Sequence, residues 1–146
     1  PETRPPERKG GKSLAAKAEG VAGLEARAAL EMLGGNADLY GKLLALARDD
    51  LAKIMGNLDN GLANGDWSRL RIETHGVKSA LASIGAAELS KAAADLEGAL
   101  ARGDTEWYRA HIAGFKDGLG ALERELSSIL RADGKTDARN SNVRKS

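Results

Sequence analysis

The chain has 146 residues and a mass of 15.3 kDa, which is the size of one ordinary domain with a single hydrophobic core. Hydrophobic residues make up 42% of it but aromatic residues only 3%, so a core of Leu, Ile, Val and Ala is expected, which favours helices over sheets. A net charge of +1 and the lack of cysteine argue against nucleic-acid binding, disulfides and cysteine-ligated zinc. No apolar run is long enough to span a membrane, so we expect a cytoplasmic domain without membrane contact.

The two ends of the chain differ in composition from the region between them. Residues 1–12 contain all three prolines, and residues 133–146 contain almost nothing apolar. Each end carries four basic and two acidic residues, so the region between them has a net charge of about −3. We therefore expect a flexible linker over 1–12, one folded domain over 13–132 and a flexible basic tail over 133–146. Such a linker is typical of a module within a longer polypeptide, and a free-standing protein is the alternative.

The first two segments between the tails have the apolar spacing of helices. The first covers 14–33 and has an apolar stripe at Leu24, Ala28 and Leu33, but it is interrupted near Gly20 to Gly23, where the glycines weaken its continuity. The second begins at Asn36, a residue that caps helices well, and runs to about Leu62 with apolar residues at alternating spacings of three and four. Both segments are therefore predicted as helical, with the first one interrupted.

Three further segments show the same periodicity. The third follows the capping residue Asp66 and stops at Gly85, the fourth covers 87–101, and the fifth follows Asp104 and ends before Gly134. Long amphipathic helices joined by short glycine turns favour antiparallel neighbours. We therefore predict an all-α fold, an up-down-up-down four-helix bundle with an additional short N-terminal helix.

His75 lies on the third segment, whose apolar stripe is centred between Thr74 and Val77. On a helix that turns about 100° per residue, its ring points roughly 130° away from the core and faces water. The same side of the helix carries small residues, one isoleucine and two cations, which are candidates for binding a partner or stabilising charge. These candidates are Ser68, Arg71, Ile72, Lys78, Ser79 and Ala82.

This set of residues suits phosphoryl chemistry. An exposed neutral imidazole is a nucleophile that can attack an incoming acyl phosphate. Lys78 and Arg71 can offset the charge of the transferring group, small residues at 79 and 82 leave room for a partner, and Ile72 offers apolar contact area. A single surface histidine is more often without a function, however, so the helical periodicity leaves both interpretations open.

The stretch THGVKSALASIGAAELSKAAADLEGALARGD resembles the central motif of histidine-containing phosphotransfer (Hpt) domains, and the resemblance extends over roughly residues 22–132. It implies a helical bundle that relays phosphoryl groups between aspartates of response-regulator receiver domains, which are its partners. In this resemblance His75 matches the phosphoryl acceptor, Val77 the apolar spacer, Lys78 the basic neighbour and Gly85 the turn glycine.

Two positions depart from the family's pattern. Ser79 stands where the family usually has glycine, and Gly76 stands where it has Thr or Ser. A glycine within a helix costs about 1 kcal/mol relative to alanine, so Gly76 is expected to loosen the helix at the site. These departures keep a second interpretation open, a pseudo-Hpt module that binds receivers without transferring phosphate.

The rest of the sequence limits the chemistry of the domain. No glycine-rich nucleotide loop is present, so we expect a stoichiometric phosphocarrier, not a kinase, with no cofactor of its own and with magnesium held by the receiver. His111 is interpreted as structural, and no metal site is expected because there is no third histidine or cysteine. We expect a monomer, and the linker fits the C-terminal module of a hybrid sensor histidine kinase that tethers the domain to a membrane sensor.

Overall fold

A computed structural model describes residues 9–132 of the chain, and the ends over 1–8 and 133–146 lie outside the described residues. The described part is all-α, as predicted, and contains no strand. Its six helices are α1 Lys9–Glu19, α2 Ala26–Met32, α3 Ala37–Asn64, α4 Trp67–Ile84, α5 Ala87–Ala101 and α6 Thr105–Ala132. None of these six has an apolar stretch that could cross a lipid bilayer. Helix α1 begins inside the segment predicted as a linker, and the division of the chain into linker, domain and tail stays a prediction.

Helices α3 to α6 form the predicted four-helix bundle. Each of them packs against the next along the chain, and α6 returns to pack against α3, which closes the ring. The residues at the centre are mainly leucines that the periodicity places inward, together with two tyrosines. Fully buried members are Tyr40, Leu44, Leu51, Leu58, Leu70, Leu81, Leu96, Tyr108, Leu119 and Leu126. The bundle therefore has a single core, to which α1 adds through its contacts with α3 and α6.

The N-terminal segment differs from the single interrupted helix that the sequence predicts. It forms two separate helices, α1 and α2, joined by residues 20–25. Gly23 has a φ of +82°, which takes the backbone out of the helical region, while Val21 and Leu24 on either side of it are buried. The glycines predicted to weaken the helix therefore end it, and the chain turns so that both apolar side chains reach the core.

The predicted capping residues begin three of the four bundle helices. The side chains of Asn36, Asp66 and Asp104 each accept a hydrogen bond from the backbone N–H three residues further on, at 3.0, 3.2 and 3.1 Å. These bonds satisfy N–H groups that would otherwise lack a partner in the first turn. They fix where α3, α4 and α6 start.

The corner between α4 and α5 is formed at Gly85, which has a φ of +91°. A side chain there would also collide with the neighbouring chain, since a Cβ atom would lie 2.5 Å from the carbonyl oxygen of Glu25. The N–H of Glu25 donates to the Gly85 carbonyl at 2.8 Å, and the Tyr40 hydroxyl donates to the Ile84 carbonyl at 2.7 Å. Burial raises the pKa of Tyr40 to about 12, so this hydroxyl keeps its proton. The corner is thus held from both α2 and α3.

Candidate functional site

Helix α4 places His75 on the surface, and the residue before it, Thr74, is anchored in the core. The His75 side chain is 62% exposed, in the direction that the helical wheel predicts, while the adjacent Thr74 is fully buried. The Thr74 hydroxyl donates to the Leu70 carbonyl at 2.6 Å and so accepts from the Tyr108 hydroxyl, 2.9 Å away on α6. These two bonds tie α4 to the opposite side of the bundle, and the imidazole therefore projects from a fixed stretch of helix.

Glu97 on α5 contacts His75, although it is not among the residues that the sequence singles out. Its Oε2 lies 2.7 Å from Nδ1 of His75, and its Oε1 lies 2.8 Å from Nζ of Lys78. The hydrogen bond from Lys78 lowers the pKa of the Glu97 carboxyl most, and the hydrogen bond from His75 lowers it further, whereas partial burial opposes them. The carboxyl is therefore ionised near neutral pH.

The ionised carboxylate decides which tautomer the His75 ring adopts. A carboxylate without a proton can only accept hydrogen bonds, so Nδ1 of His75 must donate to it. In a neutral imidazole the proton on Nδ1 leaves the lone pair on Nε2. The pairing therefore turns the nucleophilic nitrogen away from α5, on a side chain that is mostly exposed to solvent.

The other predicted site residues divide into two groups. Ser68, Arg71 and Ile72 line one shallow depression together with His75 and Glu97. Ile72 is 68% exposed, so the depression has an apolar edge that water covers. Ser79 and Ala82 are also exposed but lie one and two turns further along α4, outside the depression. The surface around the imidazole is thus open and built from small, apolar and cationic side chains, together with the Glu97 carboxylate that contacts the ring.

The two cations near the imidazole differ in their availability. Lys78 is bound to Glu97 and its side chain is only 33% exposed. Arg71 is exposed and has no hydrogen-bond or ion-pair partner within the part of the chain that the structure describes. Of the two, Arg71 is the one whose charge is free to meet an incoming anion.

His111 occupies a different environment from His75. It is exposed on α6, where its ring stacks on that of Trp107 with the centroids 3.8 Å apart, and its Nδ1 lies 2.8 Å from the Trp107 carbonyl oxygen. Both contacts are with a residue one turn away, and no carboxylate among the described residues contacts its ring. Between residues 9 and 132, no three or more His, Cys, Asp or Glu side chains are grouped so that they could bind a metal ion.

The spacing of His75 and Glu97 from the turn between their helices is a sequence feature that could have indicated their contact. Helical periodicity alone does not reveal it. His75 lies ten residues before Gly85 and Glu97 twelve residues after it, so the two are nearly level once α4 and α5 pair as antiparallel neighbours. Several residues of α5 lie at about the same level as His75, however. The rotation of α5 about its own axis decides which of them faces the His75 ring. That rotation depends on packing against α6 as well as α4.

The family model described as the Hpt domain matches residues 42–131, which is more than half of the chain. The match includes all of α4 and α5 and therefore His75, Lys78 and Glu97. Neither a curated protein nor a solved structure matched the chain. Hpt domains carry phosphoryl groups in phosphorelays and interact with the receiver domains of response regulators. The family match, on a helical bundle that presents an exposed histidine, shows that this chain belongs to the Hpt domain family.

Proposed function

We propose that this domain accepts a phosphoryl group from a receiver aspartate on Nε2 of His75 and passes it to a second receiver. The observation that supports this most is the 2.7 Å contact between Nδ1 of His75 and Glu97 on a ring that is 62% exposed. That contact holds the proton on Nδ1 and leaves the lone pair of Nε2 accessible to another protein.

The proposed step forms one bond and breaks one. The Nε2 lone pair attacks the phosphorus of the receiver's aspartyl phosphate, the N–P bond forms, and the P–O bond to the aspartate breaks so that its carboxylate leaves. Nδ1 keeps its proton, and the positive charge that the ring acquires is offset by the Glu97 carboxylate. The second transfer is the reverse reaction with another receiver. Magnesium is held by the receiver, and this domain needs no cofactor of its own.

The neighbouring side chains have separate roles in this proposal. Arg71 offsets the charge on the phosphoryl oxygens, whereas Lys78 acts through Glu97, to which it is bound. Ile72 supplies apolar contact with the docked receiver. The small side chains of Ser68, Ser79 and Ala82 allow the receiver's active site to approach the ring.

Phosphotransfer from a labelled receiver tests the proposal. Incubation with a phosphorylated receiver should label the wild type at a site that is labile in acid and stable in base. The variant His75→Gln should stay unlabelled, while the matched variant His111→Gln, which changes the other histidine, should be labelled like the wild type. Circular dichroism of both variants checks that the bundle is intact. Equal labelling of His75→Gln and wild type would contradict the proposal.

Ser79 supports one competing function, a pseudo-Hpt module that binds receivers without phosphotransfer. Its hydroxymethyl group is exposed on α4, one turn from His75, where a receiver must approach. In the same assay this alternative predicts receiver binding without label, and Ser79→Gly should then restore labelling. Rapid labelling of the wild type would exclude it.

A further inference from the structure

A second concave surface lies on the side of α5 that faces away from His75. It is a groove of about 690 Å³ between α5 and α6, to which Ala22 and Gly23 of the α1–α2 connection also contribute, and Asp95 is one of the residues that line it. Asp95 and Glu97 are two positions apart, which is about 200° around a helix. The groove and the His75 site therefore lie on opposite faces of α5 and can be occupied at the same time.

The groove is long and mostly apolar. Along α6 its lining extends from Trp107 to Glu125, which is about 27 Å or five turns of helix, and along α5 it extends from Glu88 to Leu96, which is about 12 Å. The floor consists of apolar side chains of both helices and of small residues that expose the surface close to the α6 backbone. These lining residues are Leu89, Ala92, Phe115, Leu122, Gly114 and Ala121. The dimensions suit an elongated occupant with an apolar face.

The permanently charged residues that line the groove are all acidic. Glu88, Asp95 and Glu125 contribute three carboxylates to its lining, and the basic residues of the described lining are limited to His111, with no lysine or arginine. None of the three forms an ion pair or hydrogen bond with another residue in the range that the structure covers. An apolar floor edged by unpaired carboxylates favours an occupant that is apolar on one face and basic along the edges of that face.

We propose that this groove is the docking site for a basic amphipathic helix of a partner protein. The apolar face of the partner helix, with residues at i, i+3 or i+4, and i+7, packs against the floor. Its Lys or Arg side chains flank that face and pair with Glu88, Asp95 and Glu125. The α6 wall of the groove is about five turns long, with the Asp95 carboxylate of α5 toward one end and that of Glu125 toward the other, which favours an extended helix as the occupant. The proposal does not depend on the chemistry of His75.

The test uses a synthetic helix of eighteen residues with leucines at those spacings, flanked by lysines and labelled with fluorescein. Gly114→Leu should fill the groove, because a Cβ atom at Gly114 meets nothing within 4 Å. The matched control is Gly56→Leu on α3, where a Cβ atom also meets nothing and which does not line the groove. Fluorescence anisotropy should give the same Kd for the wild type and Gly56→Leu, and a Kd at least tenfold weaker for Gly114→Leu.

Two further measurements separate groove binding from simple charge attraction. A scrambled peptide of the same composition should bind at least tenfold more weakly, since it lacks the apolar face. The triple variant Glu88→Gln, Asp95→Asn, Glu125→Gln should bind more weakly and with a smaller salt dependence than the wild type. The proposal is overturned if the wild type does not bind the amphipathic peptide, or if Gly114→Leu binds it as tightly as Gly56→Leu.

Discussion

The two oxygens of the Glu97 carboxylate serve different partners, Oε2 the His75 ring and Oε1 the ammonium group of Lys78. Because Lys78 holds one oxygen in place, the other keeps a constant direction toward Nδ1. The sequence predicts that Lys78 stabilises the phosphoryl charge directly. The geometry supports a different proposal, in which Lys78 orients Glu97 and Glu97 orients His75, while Arg71 remains free for the anion.

Substitution of Glu97 tests this arrangement. In Glu97→Gln the side-chain amide can turn its NH2 group toward Nδ1, which would make Nδ1 an acceptor and place the proton on Nε2. We expect phosphotransfer from a receiver to slow by about tenfold or more, as for other partners that orient a functional histidine. Rapid-mixing kinetics measure the rate, and ¹⁵N NMR of the imidazole reports the tautomer.

The matched control for that substitution is Glu31→Gln, which removes an exposed carboxylate from α2. Its transfer rate and its His75 tautomer should equal those of the wild type. A Glu97→Gln protein that keeps both the wild-type rate and the wild-type tautomer would show that Glu97 does not position the ring.

At the level of helices, the α4–α5 corner sets the height at which Glu97 meets His75. The corner is fixed by the left-handed backbone of Gly85 and by its close contact with Glu25 at the start of α2. The Ser90 hydroxyl adds a bond from α5 to the Lys78 carbonyl at 3.1 Å. A change at the corner should therefore affect both stability and the geometry of the site.

Two glycine substitutions on the same helix hairpin should have opposite effects on stability. Gly85→Ala should lower the free energy of unfolding by about 2 kcal/mol or more, because alanine resists a positive φ and its Cβ would displace Glu25. Gly76→Ala should raise it by about 0.5 to 1 kcal/mol, since its Cβ meets no neighbour and the position is helical. Urea unfolding followed by circular dichroism measures both, and a stabilising Gly85→Ala would contradict the description of the corner.

On the scale of the whole molecule, the core extends beyond the region that matches the family model. The match begins at residue 42, yet α1 and α2 lie before it and contribute buried residues. Leu14 is fully buried, and its Cδ2 packs so closely on Gly41 of α3 that a Cβ atom there would lie 3.1 Å from it. The two N-terminal helices therefore share the core of the bundle.

Truncation of Leu14 tests whether α1 belongs to the cooperative core. Leu14→Ala should lower the free energy of unfolding by about 2 to 4 kcal/mol, the usual cost of emptying a buried leucine site. The matched control is Leu46→Ala on α3, where the leucine is 58% exposed and the loss should stay below about 1 kcal/mol. Equal, small losses in urea unfolding of the two variants would show that α1 does not share the core.

The local features of this protein could be predicted from its sequence. Asn36, Asp66 and Asp104 cap helices in the structure as their types and positions predict. The periodicity of α4 is enough to turn His75 outward. Caps and periodicity are properties of neighbouring residues, and they keep their meaning whatever the rest of the chain does.

Contacts between helices could be identified only from the tertiary structure. The pairing of Glu97 with His75 and Lys78 and the acidic groove between α5 and α6 both depend on how the helices are rotated and aligned. Many rotations bury similar apolar stripes, and side-chain packing across the whole core selects one of them. The sequence alone therefore determined the helices and the exposed histidine, and tertiary packing decided which carboxylate holds its ring.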